Sequence, residues 1–221
     1  MSKQVNDAMR LFVITIIAGC ALGGIYMVTK EPIAAQNLKM QQDAYKAVLS
    51  EAEIFEELEG DRFSKENIVE NYKPFLAGDP ESYVDDDIEG VVAGVKDGKY
   101  IGIVITVNAH DGYAGDIRYS VGVDREGVYK GTSILEISET AGLGMRVKTD
   151  PSFLEQFNEV KVDKYTLVKD GTGSSSEDKI DAISGSTVTS KSMLRGINAA
   201  LAVSRDIKES HEKTVGGVPI E

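Results

Sequence analysis

The strongest hydrophobic block lies near the start of the chain. Residues 11–29, LFVITIIAGCALGGIYMVT, carry no charge and are bracketed by Arg10 and Lys30. As a helix this run reaches roughly 28 Å, close to the thickness of a bilayer's hydrocarbon core. Three readings compete: a permanent transmembrane anchor, a cleaved signal peptide, and a lipoprotein signal ending at Ile17-Ala18-Gly19-Cys20. The apolar run continues past Cys20 through Leu22, Ile25, Tyr26, Met27 and Val28, which outlasts an ordinary signal core and favours the anchor. Residues 1–10 are then a cytoplasmic tail, because Lys3 and Arg10 crowd it, and the large domain lies outside the cytoplasm. Lys30, Lys39 and Lys46 on the other side weaken that count. Gly19, Gly23 and Gly24 form a patch of small residues against which another helix could pack, or which lipid merely tolerates.

Beyond the anchor the apolar period becomes helical. Leu38, Tyr45, Val48 and Leu49 predict a helix within 31–58, with Pro32 at its start. Residues 59–82 are polar and broken by Gly60, Pro74, Gly78 and Pro80, so 30–82 reads as a helical stalk and a connection. From 84 to 137 the pattern is that of strands. Asp97-Gly98 between two β-rich runs is a hairpin signal, and a second hairpin is expected at residues 124–127. The connections are too short for crossover helices, so the sheet is an antiparallel meander. Asp150-Pro151 reads as a helix start with Phe153, Leu154 and Phe157 facing the core. Residues 169–179 read as a polar, mobile loop. A last helix is expected over 189–207, with Leu194, Ile197 and Leu201 on its buried face. The whole is an α+β chain: one transmembrane helix, then a domain over 83–207 with an antiparallel sheet and flanking helices, then a polar, frayed tail at 208–221.

Composition narrows the chemistry. The 221 residues carry 36 acids against 24 bases, a formal charge of −12, the wrong sign for nucleic-acid binding. One cysteine excludes a disulfide framework or a cysteine-ligated cluster, and two histidines argue against a histidine-rich metal site. Residues 185–192 fall short of a phosphate loop because Ser190 replaces its second glycine. Gly171-Thr172-Gly173 lacks the third glycine of the dinucleotide fingerprint. The stretch Asp181-Ala182-Ile183-Ser184-Gly185-Ser186-Thr187-Val188-Thr189-Ser190 is more informative. Hydroxyls and a glycine crowd a helix N-terminus, where free N–H groups and the helix dipole favour an anion such as phosphate. Plain helix capping by Ser or Thr explains the same residues.

Asp181-x-x-Ser184-Gly185-Ser186-Thr187 resembles the D-x-x-[ST]-G-A-T flavinylation motif of the FMN-binding domain family, with Ser186 for the usual alanine. Glu139-Thr140-Ala141-Gly142-Leu143-Gly144 is similar to the family's E-T-P-G-L-G, with Ala141 for proline. Gly112-Tyr113-Ala114-Gly115 matches a G-Y-x-G stretch before a strand. The order of the three motifs behind one hydrophobic segment resembles the G subunits of Rnf complexes and, more distantly, the C subunits of sodium-pumping quinone reductases.

The resemblance implies FMN held covalently by a phosphoester to Thr187. It implies electron transfer within a membrane complex that couples ferredoxin oxidation and NAD reduction to translocation of Na⁺ or H⁺. The implied partners are the other membrane and iron–sulfur subunits of that complex, membrane lipid, and a flavin transferase that takes FMN from FAD, with Asp181 as its recognition residue or a local hydrogen-bonding group. A threonine hydroxyl is a poor nucleophile, and no histidine lies near Thr187 in sequence to activate it. Gly185 would let backbone approach the phosphate, Ser184, Thr189 and Ser190 would donate to it or cap the helix, and Ser186, small like the usual alanine, would keep the backbone path of the cofactor-binding motif. Gly142, Leu143 and Gly144 would lie against the isoalloxazine ring, or form a plain turn. Glu139 and Thr140 would contact the flavin or its ribityl chain, and Tyr113 would stack near the ring or pack in the core. A stand-alone or quinone-reductase flavin carrier, and a non-redox anchored scaffold, are the competing readings.

Overall fold

The computed structural model describes residues 3–58, 67, 87–157, 160–209, 214–215 and 218–219. The connection expected at 59–82 therefore lies outside the described residues apart from residue 67. The chain divides into two units, residues 1–42 and 43–221.

The first unit is helical and belongs to α1 (Lys3–Val48), a single helix that runs through Pro32. The fresh start expected at Pro32 is thus corrected. The proline sits inside the helix, where it forfeits one backbone hydrogen bond without ending the turn. Leu11, Phe12, Ile14, Ile17, Leu22 and Ile25 are all exposed, and the helix is long and apolar enough to cross a membrane. Its two threonines are satisfied locally: Thr15 Oγ1 donates to Phe12 O at 2.8 Å and Thr29 Oγ1 to Ile25 O at 2.9 Å. Back-bonding of this kind is how hydroxyls are accommodated where no water is at hand.

The second unit is α+β, as the sequence pattern implies. Five strands form one antiparallel sheet in the order β1 (Ile54–Glu57), β2 (Asp87–Lys96), β3 (Lys99–Ala109), β4 (Ile117–Asp124), β5 (Tyr129–Ile137). The meander from β2 to β5 is the one expected. Its first hairpin turns at Asp97 and Gly98, both with positive φ (50° and 71°), the backbone that matches the twist of the flanking strands. At the second, Asp124 Oδ1 accepts from the N–H groups of Glu126 and Val128. The hydrophobic pattern does not announce β1. Residues 54–57 continue no helix; they pair with Val92–Val95 at the sheet's edge. The helical pattern of 31–58 ends at Val48 because Leu49 and Ala52 turn the chain onto the sheet.

Both sheet faces are covered. On one face the end of α1 lands where glycines leave room. A Cβ on Gly122 would stand 2.4 Å from Val48 O, and one on Gly94 would stand 2.4 Å from Leu49 Cδ2. Tyr45, Val48, Leu49, Ala52, Val92 and Val104 form that small core. The other face carries the main core under α3 (Thr187–Glu209), which begins two residues earlier than the periodicity suggests. Tyr119 reaches through the core and donates its hydroxyl to Met193 O at 3.1 Å. Gly196 is needed beside it, because a Cβ there would lie 1.9 Å from the Tyr119 hydroxyl oxygen.

Between β5 and α3 lie α2 (Arg146–Thr149), two short 3₁₀ turns at Leu154–Phe157 and Gly173–Ser175, and a parallel pair, β6 (Thr166–Val168) with β7 (Lys179–Asp181). Asp150 closes α2 instead of opening a helix. Its carboxylate accepts from Ser152 and then from Arg146, which holds its pKa below the ordinary value. Phe153 and Phe157 are buried as expected, in an edge-to-face cluster with Tyr165 and Tyr129. The stretch 169–179 is partly ordered by the Gly173–Ser175 turn. In the tail expected to fray, β8 (Thr214–Val215) pairs with β9 (Val218–Pro219).

Candidate functional site

Two tight turns face each other beside the start of α3. The first spans Thr140–Leu143 and is closed by Leu143 N–H to Thr140 O at 3.1 Å, with Gly142 at φ +77°. The second spans Ile183–Ser186 and is closed by Ser186 N–H to Ile183 O at 2.9 Å, with Gly185 at φ +78°. A third residue with positive φ is what such turns demand, and glycine adopts it without cost to a side chain. The turns approach closely: a Cβ on Gly185 would stand 3.3 Å from Leu143 Cδ2.

Between them lies a cavity of about 360 Å³, lined by Tyr113, Glu139, Thr140, Leu143, Gly144 and residues 185–189. That volume is at the low end of small-molecule sites, about 300–1,000 Å³. A larger cavity of about 690 Å³ is lined by Ser152, Gln156, residues 173–177, Lys179 and Asp181. Size does not decide between them. The smaller one gathers three stretches far apart in sequence and is rimmed by apolar side chains. Tyr113, Leu143 and Val188 are 73%, 44% and 48% exposed, and with Ile54 they make up the large exposed hydrophobics of the second unit among the described residues.

Thr187 opens α3 and is half-buried on the cavity wall. The first backbone bond of the helix runs from Ser190 N–H to Ser186 O, so the N–H groups of residues 187–189 precede the ladder and are available to an anion. Thr189 is buried, and Ser184 and Thr140 are exposed. Ser190 is fully buried and committed elsewhere. Its hydroxyl donates to Ser186 O at 2.9 Å and accepts from Ile183 N–H at 3.0 Å. It ties the turn to the helix and is not a phosphate donor. Ser186 Oγ is buried without a hydrogen-bond partner.

Glu139 is 5% exposed. Its Oε1 accepts from Tyr113 N–H at 2.6 Å, while Oε2 is buried and unpartnered. Gly144 packs on it: a Cβ at Gly144 would stand 2.4 Å from Glu139 Oε2 and 2.6 Å from Thr189 Oγ1. Tyr113 is a surface residue over the cavity mouth, which rules out the buried-core alternative. Asp181 is not part of this cavity. Its Oδ2 accepts from Gly173 N–H at 3.0 Å, and Gln156 brackets its backbone on both sides. It orders the loop before the motif. Three contributors escape sequence reasoning: Val188 on the cavity rim, and Asp111 with Arg195, an ion pair between the Tyr113 loop and α3. Neither residue of that pair carries a motif, and their pairing is visible only in the fold. Among the described residues no group of His, Cys, Asp and Glu is arranged to hold a metal.

Residues 112–202 match the family model described as FMN-binding domain, a span that contains every wall of the cavity. The chain is similar to the G subunit of the Na⁺-translocating ferredoxin:NAD⁺ oxidoreductase complex of Acetobacterium woodii, 28% identical over 90% of each chain. It is similar to the G subunit of the proton-translocating ferredoxin:NAD⁺ oxidoreductase complex of Clostridium ljungdahlii, 29% identical over 91% of this chain and 95% of that one. A crystal structure of Shewanella oneidensis NqrC covers 53% of this chain and 57% of its own at 25% identity, with a TM-score of 0.40.

Proposed function

We propose that this chain, whose residues 112–202 carry an FMN-binding domain, is the membrane-anchored flavin subunit of an Rnf-type complex, with FMN esterified to Thr187. The complex would couple ferredoxin oxidation and NAD⁺ reduction to ion translocation, as the names of the two relatives state for their own complexes. Those names differ in the ion at nearly equal identity, so they favour neither Na⁺ nor H⁺ for this chain. The observation that carries the reading is the convergence of the Tyr113 loop, the Glu139–Gly144 stretch and the Gly185–Thr189 stretch on one cavity.

The residues fit the group. Of the five buried side-chain atoms without partners among the described residues, two, Glu139 Oε2 and Ser186 Oγ, belong to side chains of the cavity wall, and natural proteins rarely leave such atoms unexplained. The N-terminal N–H groups of α3 favour a phosphate beside Thr187. Leu143, Tyr113 and Val188 offer the apolar contact that a flat aromatic ring requires. Glu139 is a carboxylate and repels phosphate, so it suits a hydrogen-bond donor of the ligand and not its phosphate. Bound FMN would supply one- or two-electron carriage, which no side chain here provides. The chain's own residues fix its phosphate, support its ring and exclude water from one side.

Attachment would be performed by a flavin transferase. The Thr187 Oγ–P bond forms, the pyrophosphate P–O bond of FAD breaks, AMP leaves, and the hydroxyl proton passes to a base of that enzyme. The apolar part of α1 would anchor the subunit in the cytoplasmic membrane, with the flavin domain on the far side from the Lys3–Arg10 tail. Co-expression with a flavin transferase, followed by denaturing electrophoresis under ultraviolet light, tests the covalent reading. The expected result is a fluorescent band that Thr187→Val abolishes. A dark native band, with a control substrate flavinylated in the same cells, would overturn it.

A further inference from the structure

We propose that Arg195 is a positioning residue for the cavity: through Asp111 it holds the Tyr113 loop against the helix that carries Thr187. The proposal rests on reading this cavity as the FMN site. Arg195 lies two turns beyond Thr187 on α3, and its Nη1 is 2.5 Å from Asp111 Oδ2. The guanidinium side chain is only 9% exposed and the Asp111 side chain 31%. Asp111 opens a tight loop whose base is closed by His110 Nδ1 and Asp116 Oδ2 at 3.0 Å. A Cβ on Gly112 would stand 2.1 Å from Gly115 O and 2.9 Å from Glu139 Oε1, so the loop has no slack. Two residues past Asp111, Tyr113 N–H donates to Glu139 Oε1, and Glu139 begins the stretch that turns at Thr140–Leu143. Two polar contacts, Arg195 with Asp111 and Tyr113 N–H with Glu139, joined by two residues of backbone, therefore run from α3 to Glu139. They link all three stretches that meet at the cavity.

An ion pair with one member nearly buried gains little stability for its desolvation; its firmer contribution is to fix one arrangement. The same helix offers a contrast. Arg205 Nη1 is 3.5 Å from Asp163 Oδ1, with side chains 42% and 91% exposed, a surface pair of small consequence.

The decisive variant is the double Asp111→Asn/Arg195→Gln in the full-length chain, which removes both charges without stranding one. Arg205→Gln is the control. Amide hydrogen exchange is read on flavin-free Thr187→Val protein, and circular dichroism in the flavin bands is read on flavinylated protein. In the double variant the Tyr113 amide should lose protection on the order of tenfold while the amides of β3 and β4 keep theirs. The band should still fluoresce, and the flavin dichroism should collapse. Arg205→Gln should change neither. Native Tyr113 protection and native dichroism in the double variant would overturn the proposal. So would loss of protection throughout the sheet, which would make the pair a general stability element. If the native chain never takes up flavin, the Thr187 reading fails, and the exchange measurement still decides this one.

Discussion

At the residue scale the site is built by what glycines leave out. Gly144 is not forced by its own backbone; its lack of a side chain gives Glu139 and Thr189 their places. Glu139 is in turn held by Tyr113 N–H and has little freedom to withdraw. Gly144→Ala should therefore destabilise the domain by about 1–3 kcal/mol, read as a lower urea midpoint at an unchanged slope. Ser190 and Ser184 provide a sharper contrast, because both are hydroxyls in the same motif. Ser190→Ala removes an acceptor from the buried Ile183 N–H and should cost about 1–3 kcal/mol. Ser184 is exposed, and Ser184→Ala should stay within about 0.5 kcal/mol. Equal effects of the two substitutions would contradict the assignment of Ser190 to the turn. Thr187, Gly185 and Leu143 are legible from motif spacing. The roles of Ser190 and Asp181 are not, because a motif records which residues recur and not which way each side chain faces.

At the scale of elements, the antiparallel meander and the closing helix follow from pattern, since period-two alternation and turn chemistry are local properties. The edge strand β1 and the parallel pair β6–β7 do not. Each is four residues or fewer and owes its conformation to a partner distant in sequence. The aromatic cluster of Phe153, Phe157, Tyr165 and Tyr129 beside β6 has a measurable signature. Burial pushes the Tyr165 hydroxyl up to about 12 and raises those of Tyr129 and Tyr100 as well. For an acid whose folded pKa is raised, the stabilisation is complete below the unfolded value of about 10 and fades as pH climbs towards the folded one. The urea midpoint should thus be flat from about pH 8 to 9.5 and fall between about pH 10 and 12. Tyr165→Phe should lower the midpoint at pH 8, since the hydroxyl donates to Phe157 O at 2.7 Å, and should also make the alkaline fall shallower. A fall of unchanged steepness would place the titration elsewhere.

For the whole molecule, the first unit is suited to lipid, and the proposed function gives the second a flavin. The exposed apolar helix and its self-bonded threonines predict that the full chain stays with membranes through alkaline carbonate extraction, and that a chain lacking residues 2–30 does not. A full chain released into the supernatant would contradict the anchor. The central claim is narrower: one hydroxyl among several carries the flavin. Trypsin cleavage after Lys179 and Lys191 gives the peptide 180–191, which contains Ser184, Ser186, Thr187, Thr189 and Ser190. Fragmentation mass spectrometry of that peptide, from protein co-expressed with a flavin transferase, is the most direct measurement. The account predicts an FMN phosphoester localised to Thr187. An unmodified peptide, or an adduct on any of the four neighbouring hydroxyls, would contradict it.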